Sequence, residues 1–213
     1  MSPDLESLKR FQERQSSLVE EIDSFGSAKY LLTVTVHQTE SFIRSIGLLY
    51  DLYTNSNLEY WISEKFPILY PYLPGFLILR NKKPLIAAIT YFRNKFDLTL
   101  IEGAGRQHPR KFGLACEIGV DQNIPVIGVI KRSLWGDIDF NNPINYSLYT
   151  AFPVFDGDDK IAYFVKKAGN KKGIFISVGN KISLTSALEI ILPTLFFRLP
   201  EPIRLAKALL KTP

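Results

Sequence analysis

Residues 98–130 constrain the fold more tightly than any other stretch of this chain. An apolar strand, LTLIE at 98–102, ends on a charge and a glycine-rich turn; a helix follows at 112–121, and a second apolar strand, PVIGVI, occupies 125–130. Strands that alternate with helices in this way must lie parallel, with the helices as crossovers. Upstream, residues 29–36, 41–52 and 58–65 are rich in β-branched and aromatic types between polar turns, which predicts three antiparallel strands, and a helix at 84–96 leads from them to the first parallel strand. Further strands are expected near 161–165 and 173–178, with helices at 183–197 and 202–210. At the N-terminal end, Leu5, Leu8, Phe11, Leu18 and Ile22 recur at a helical period, so residues 4–22 read as an amphipathic helix packed against the sheet.

No Gly/Ser-rich or Pro-rich stretch divides the 213 residues, 46% of which are apolar, so one domain spanning 1–213 is expected. There is no uninterrupted apolar run of about 18 residues, and MSPDLESLKRFQERQ lacks an apolar signal core, which predicts a cytoplasmic protein without membrane contact. A lone cysteine, Cys116, falls in an apolar helix and reads as a small buried residue. The formal charge is +5 and the pI about 9.2, a balance that suits an anionic partner. The cations gather in three places: Arg80, Lys82 and Lys83; Arg106, His108, Arg110 and Lys111; and Lys166, Lys167, Lys171 and Lys172 around a glycine-containing turn, the last read as a solvated face.

Glu102 stands at the C-terminal end of a parallel strand, where open α/β sheets place their ligands, and Gly103-Ala104-Gly105 beyond it permits tight turning and close approach. His108 lies between Arg106 and Arg110, whose charges oppose its protonation. His37, at the end of the first strand, reads as structural or exposed.

Three blocks carry a resemblance to a known family: PYLPGFLILRN at 71–81, LIEGAGRQHPRKFGLACEIGVDQNIPVIGVIK at 100–131 and RLPEPIRLAK at 198–207. In this order they resemble endonuclease V, whose central pattern reads Asp-Gly-x-Gly-x-x-His-Pro-Arg-x-x-Gly-x-Ala and is followed by a strand ending in lysine. The resemblance spans nearly the whole chain. It implies a ribonuclease H-like mixed α/β sheet, three antiparallel strands followed by parallel ones, flanked by helices. It implies Mg²⁺-dependent hydrolysis of a phosphodiester near inosine, in DNA or RNA. Carried over residue by residue, it makes Pro71, Tyr72, Leu73 and Pro74 a wedge that opens duplex at a lesion, with Gly75 and Arg80 continuing the block. Gly103, Gly105 and Gly113 fall by the pocket for a flipped base, the alternative being glycines required for packing, and Arg110 lies beside them in the nucleic-acid contact. His108 contacts phosphate or assists proton transfer, and Lys131 meets the scissile phosphate.

The departures from the family pattern fall on the metal ligands. Glu102 replaces an aspartate and is one methylene longer, which moves its carboxylate by ~1.5 Å. Asn81 stands where the family has glutamate, and Thr35 where the first strand has aspartate; in the implied sheet Thr35 and Glu102 face each other across the metal position. Only Glu102 remains as a carboxylate ligand, whereas Mg²⁺ requires oxygen ligands of that kind. Glu117, Asn180 and Lys207 also depart from the pattern; Lys207 reads as a surface lysine, the alternative being that its ammonium occupies the metal's charge site. The expectation is therefore a monomeric binder of inosine-containing nucleic acid whose hydrolysis is weak or lost. The alternatives are an active Mg²⁺-dependent endonuclease with a rearranged site and a non-catalytic interaction subunit.

Overall fold

A computed structural model describes residues 4–211. Among them, eleven strands form one mixed sheet. The first three, β1 (Tyr30–Gln38), β2 (Phe42–Asp51) and β3 (Ser56–Ile62), are antiparallel, and the short β4 (Phe66–Pro67) caps the end of β2. Helix α2 (Ile78–Tyr91) leads to β5 (Leu98–Glu102), α3 (Leu114–Gln122) to β6 (Val126–Ile130), and β1, β5 and β6 run parallel. After the short β7 (Asp137–Ile138) and β8 (Ile144–Asn145) come β9 (Tyr149–Asp156), β10 (Asp159–Lys167) and β11 (Gly173–Asn180), then helices α4 (Leu184–Ile191) and α5 (Glu201–Lys211). The path across the sheet is β3-β2-β1-β5-β6-β11-β10-β9-β7, with β11 antiparallel to β6. The mixed sheet flanked by helices is the architecture expected from the sequence.

In the central strands, period-two alternation assigns residues to one of two helical layers. Leu31, Leu98, Leu100, Ile127 and Val129 face α4 and α5, which bury Ala187, Leu188, Ile203, Ala206 and Leu210 against them. Leu32, Val34, Ile101 and Val126 face α2 and α3 through Leu85, Ala88, Leu114 and Ile118. Thr35 and Glu102 continue the first series, so both side chains leave the sheet on the α5 side.

Several boundaries differ from expectation. Helix α2 begins at Ile78, six residues before Pro84, which sits inside it. A proline there forfeits one helical hydrogen bond, and burial of Ile78, Leu85, Ala88 and Ile89 outweighs that loss. Strand β9 was not anticipated, because Pro153 interrupts its pattern; it nonetheless pairs with β10, Tyr163 opposite Pro153. The N-terminal helix is shorter than its apolar period, α1 (Leu5–Gln15) followed by a single 3-10 turn at Ser16–Leu18. Its apolar side chains are not buried against the sheet. Leu5 and Phe11 are more than a third exposed, and the one buried residue of α1 is Gln12.

Asn180 shows how the layers are joined. It is 2% exposed; its amide nitrogen donates to the carbonyls of Gly119 (3.0 Å) and Ile124 (3.5 Å), and its oxygen accepts from the Glu20 backbone N–H (3.0 Å). It therefore ties the end of α3 and the segment after α1 to β11. Truncation strands buried partners, which costs about 1–3 kcal/mol for an unsatisfied group. Asn180→Ala is expected to lower the unfolding free energy by about 2–4 kcal/mol in urea titration; a change below 0.5 kcal/mol would show that water replaces the lost bonds without penalty.

Candidate functional site

Thr35 and Glu102 meet at the C-terminal end of the parallel strands, as the strand order implies. The Thr35 hydroxyl donates to Glu102 Oε2 at 2.7 Å. A third side chain completes the cluster: Lys207 Nζ, from α5, lies 2.8 Å from each carboxylate oxygen of Glu102. Ile203, Ala206 and Leu210 bury the stripe that seats α5 on the sheet, and Lys207, one turn beyond Ile203, stands at the edge of that stripe. Of the two sequence readings of Lys207, the surface lysine is thus corrected in favour of an ammonium set against the central carboxylate. It is about one-third exposed and engages the central carboxylate. Asn81 is not bonded into this cluster; it is 4% exposed in α2, and its Oδ1 has no partner.

Magnesium does not fit this donor set. One carboxylate is present, and its oxygens already accept from an ammonium and a hydroxyl. Because Lys207 neutralises Glu102, an incoming divalent ion meets no net negative charge at close range, where Coulomb terms are largest. Among the described residues no three His, Cys, Asp or Glu side chains converge to hold a metal.

Beside the cluster opens a pocket of about 290 Å³ whose walls include Tyr72, Gly75, Glu102, Gly103, His108 and Lys131. Tyr72 is 61% exposed at its mouth, and Lys131, at the end of β6, is also exposed. The pocket therefore joins five of the sequence-selected positions to Glu102. Gly105 and Gly113 do not line it. A Cβ on Gly105 would fall 1.9 Å from the Val178 carbonyl oxygen, and one on Gly113 2.3 Å from that of Ala104, so close backbone packing accounts for both glycines. Arg80 likewise faces elsewhere, into a neighbouring apolar groove of about 440 Å³ with Phe76, Leu79 and Lys83.

His108 is 2% exposed. Its Nε2 donates to the Gly75 carbonyl at 3.1 Å, and its Nδ1 accepts from the Arg110 backbone N–H at 3.3 Å, which fixes the neutral tautomer. Burial, and then the Arg110 charge, push the imidazole down to about 4. The Gly75 carbonyl also accepts from Arg110 Nη2 (3.1 Å) and Gln12 Nε2 (3.3 Å), while Arg110 Nε donates to Gln12 Oε1 (2.6 Å). Arg110 further stacks over Phe76, 4.6 Å from the ring centre. Three donors on one carbonyl anchor the Pro71–Gly75 turn.

Arg106 and Lys111, read from sequence as free cations, are committed within the protein. Arg106 pairs with Glu21 and Asp159, and Lys111 with Asp156 and Asp159. Glu117 is 8% exposed and pairs with Lys82 at 3.4 Å; burial pushes its carboxyl up and Lys82 draws it down. Cys116 is buried, as expected, and its thiol is pushed up to about 12 by burial, which leaves it unreactive. Gln12 had no sequence signal, since a glutamine on an amphipathic helix reads as solvated. The Lys207 contact had one: its spacing from Ile203 and Leu210.

Comparison with known proteins agrees with this architecture. The endonuclease V family model matches residues 17–208. Endonuclease V from Dictyoglomus thermophilum is 32% identical over 198 residues, covering 92% of this chain and 85% of the relative. Endonuclease V from Streptomyces avermitilis superposes with a TM-score of 0.86 at 24% identity, over 99% of this chain and 92% of that one. Ciona intestinalis endonuclease V, solved with a 24mer DNA containing an inosine followed by a ribo-adenosine, superposes with a TM-score of 0.81 at 21% identity, over 96% and 95% of the two chains. By the extent of the family match and the identity to a curated relative, this chain belongs to the endonuclease V family.

Proposed function

We propose that this protein binds nucleic acid carrying a deaminated base such as inosine and no longer hydrolyses it by metal-dependent chemistry. The observation that carries the reading is the Lys207 ammonium seated on both oxygens of Glu102. Around it the binding features persist: the exposed Tyr72 on a rigid turn, a pocket large enough for a base, and Lys131 at its edge. The Ciona relative's inosine-containing DNA supplies the ligand class. In this reading a single domain works as a monomer in the cytoplasm.

Each residue then has a physical task. Tyr72 offers a ring on which a displaced base stacks, a contact contributing ~1–3 kcal/mol. Lys131 meets phosphate as a point charge. His108, held neutral, acts as a positioning residue: its N–H fixes the Gly75 carbonyl and with it the turn that carries Tyr72. Lys207 supplies the positive charge at Glu102 that a cation would otherwise supply, without activating water.

The decisive assay measures cutting and binding separately, on inosine-containing and control strands, in Mg²⁺ and in Mn²⁺. The native protein is expected to bind without cutting, and millimolar Mg²⁺ should leave its Tm unchanged. The triple change Thr35→Asp, Asn81→Glu and Glu102→Asp should restore little, because the Lys207 ammonium persists. Adding Lys207→His should produce metal-dependent stabilisation, about 2.7 kcal/mol at 100-fold excess over Kd, and cutting at least ~10³-fold above native, equivalent to ~4 kcal/mol. Brisk cutting by the native protein would instead favour an active enzyme with a rearranged site.

The role of His108 gives a pH dependence with a definite sign. Its folded value of about 4 lies below the ordinary 6.5, so between these values the unfolded chain takes up a proton that the folded one refuses. This contribution is fully present above pH 6.5 and is lost as pH falls to about 4, a change of about 3 kcal/mol. Urea titrations at pH 7 and pH 4 should show that loss in the native protein and its absence in His108→Gln; identical pH profiles would remove His108 from this role.

A further inference from the structure

The sheet topology brings a second basic surface to the same end as the site. Strand β11 is antiparallel to β6, so its first residues lie beside the end of β6, Phe175 opposite Ile130. Strand β10 ends there as well, Lys166 opposite Gly173. The turn between β10 and β11 therefore projects from the sheet end that carries Glu102 and Lys131. It and the end of β10 before it hold Lys166, Lys167, Lys171 and Lys172, the last three exposed. Arg198 joins the two surfaces: Nη2 donates to the Lys131 carbonyl at 2.8 Å and Nε to the Gly173 carbonyl at 2.9 Å.

Lys166, Lys167, Lys172, Phe196, Phe197 and Arg198 line a groove of about 240 Å³. Phe196 is 51% and Phe197 62% exposed, an unusual placement for large rings. Lys166 lies over the Phe152 ring and Arg204 over Phe197. None of the four turn lysines, nor Lys131, Arg132 or Arg198, has a carboxylate in ion-pair reach among the described residues. Arg106 and Lys111, by contrast, are neutralised by their own acids.

We propose that this groove binds the unpaired flank of a nucleic-acid strand whose target nucleotide occupies the Glu102–His108 pocket. The inference rests on the proposed function for that pocket and extends its footprint. Three strand spacings separate β5 from β10, about 14 Å, a distance a strand crosses within a few nucleotides. Lysines track the phosphates and exposed rings accept stacked bases, the combination that single strands require; a duplex keeps its bases stacked inside and leaves the rings unused.

The test uses a fluorescein-labelled inosine-containing single strand of about 16 nucleotides, a short inosine-containing strand of about 2 nucleotides that cannot span the ~14 Å to the groove, and a duplex made from the longer strand. Lys167→Glu/Lys171→Glu/Lys172→Glu should bind the long strand at least tenfold more weakly and the short strand unchanged. Its log–log salt slope on the long strand should fall by about two, from three lost phosphate contacts. Phe196→Ala/Phe197→Ala should weaken the long single strand severalfold and spare the duplex, with melting curves checking the fold of both variants. Undiminished long-strand binding by the lysine variant, or equal losses on both lengths, overturns the groove and leaves the pocket reading standing. Equal losses on duplex and single strand by the phenylalanine variant overturn the single-strand assignment. Native protein that binds neither length overturns both proposals.

Discussion

The contact between Lys207 and Glu102 is the constraint on which the site depends. A carboxylate at the end of a buried strand needs a compensating charge, and here it comes from α5 within the fold, with the Thr35 hydroxyl taking a further share. The pair is partly exposed, Lys207 33% and Glu102 20%, so its strength lies between the few tenths of a kcal/mol of a surface pair and the 3–5 kcal/mol lost when a buried pair is broken. Its geometric consequence exceeds its energy. It ties α5 to β5 and, through Thr35, to β1, and it leaves the cluster electrically neutral where the family pattern places several negative charges. In the proposed reading, that neutrality removes the electrostatic reason for a divalent ion to enter.

A second anchor, the Gly75 carbonyl, holds one wall of the pocket in place. Its three donors come from α1 and from the loop after β5, so the turn carrying Tyr72 is held by groups remote in sequence. The neutral imidazole and the Arg110 cation share one acceptor, and Phe76 covers the guanidinium. The helix whose apolar side chains are not buried against the sheet thereby acquires a purpose: Gln12 is its buried residue because it completes this network.

Much of the fold was legible because strand and helix periods are local signals. β5 was placed to the residue, and the antiparallel and parallel segments of the sheet followed from the order of elements. Where local signals were blunted, the reading failed: Pro153 hid β9, Pro84 delayed α2, and the apolar spacing of the N-terminal segment suggested a burial that Leu5, Phe11, Leu18 and Ile22 do not have. In the site, the family's spacing picked out Thr35, and strand order then set it facing Glu102. What the sequence could not disclose was which polar groups pair across long separations. Arg106 and Lys111 read as part of a basic cluster suited to an anionic partner until Glu21, Asp156 and Asp159 were brought to them, and only the backbones beside Gly105 and Gly113 decided between base approach and packing. The Lys207 spacing was visible, but its target lay 105 residues away.

The central claim, that a lysine ammonium holds the position a metal would need, is tested most directly by anomalous diffraction from crystals soaked in millimolar Mn²⁺. The account expects no Mn²⁺ peak in coordinating contact with Glu102 and Lys207 Nζ remaining bonded to both carboxylate oxygens. A Mn²⁺ peak on Glu102 with the Lys207 side chain swung away would contradict it.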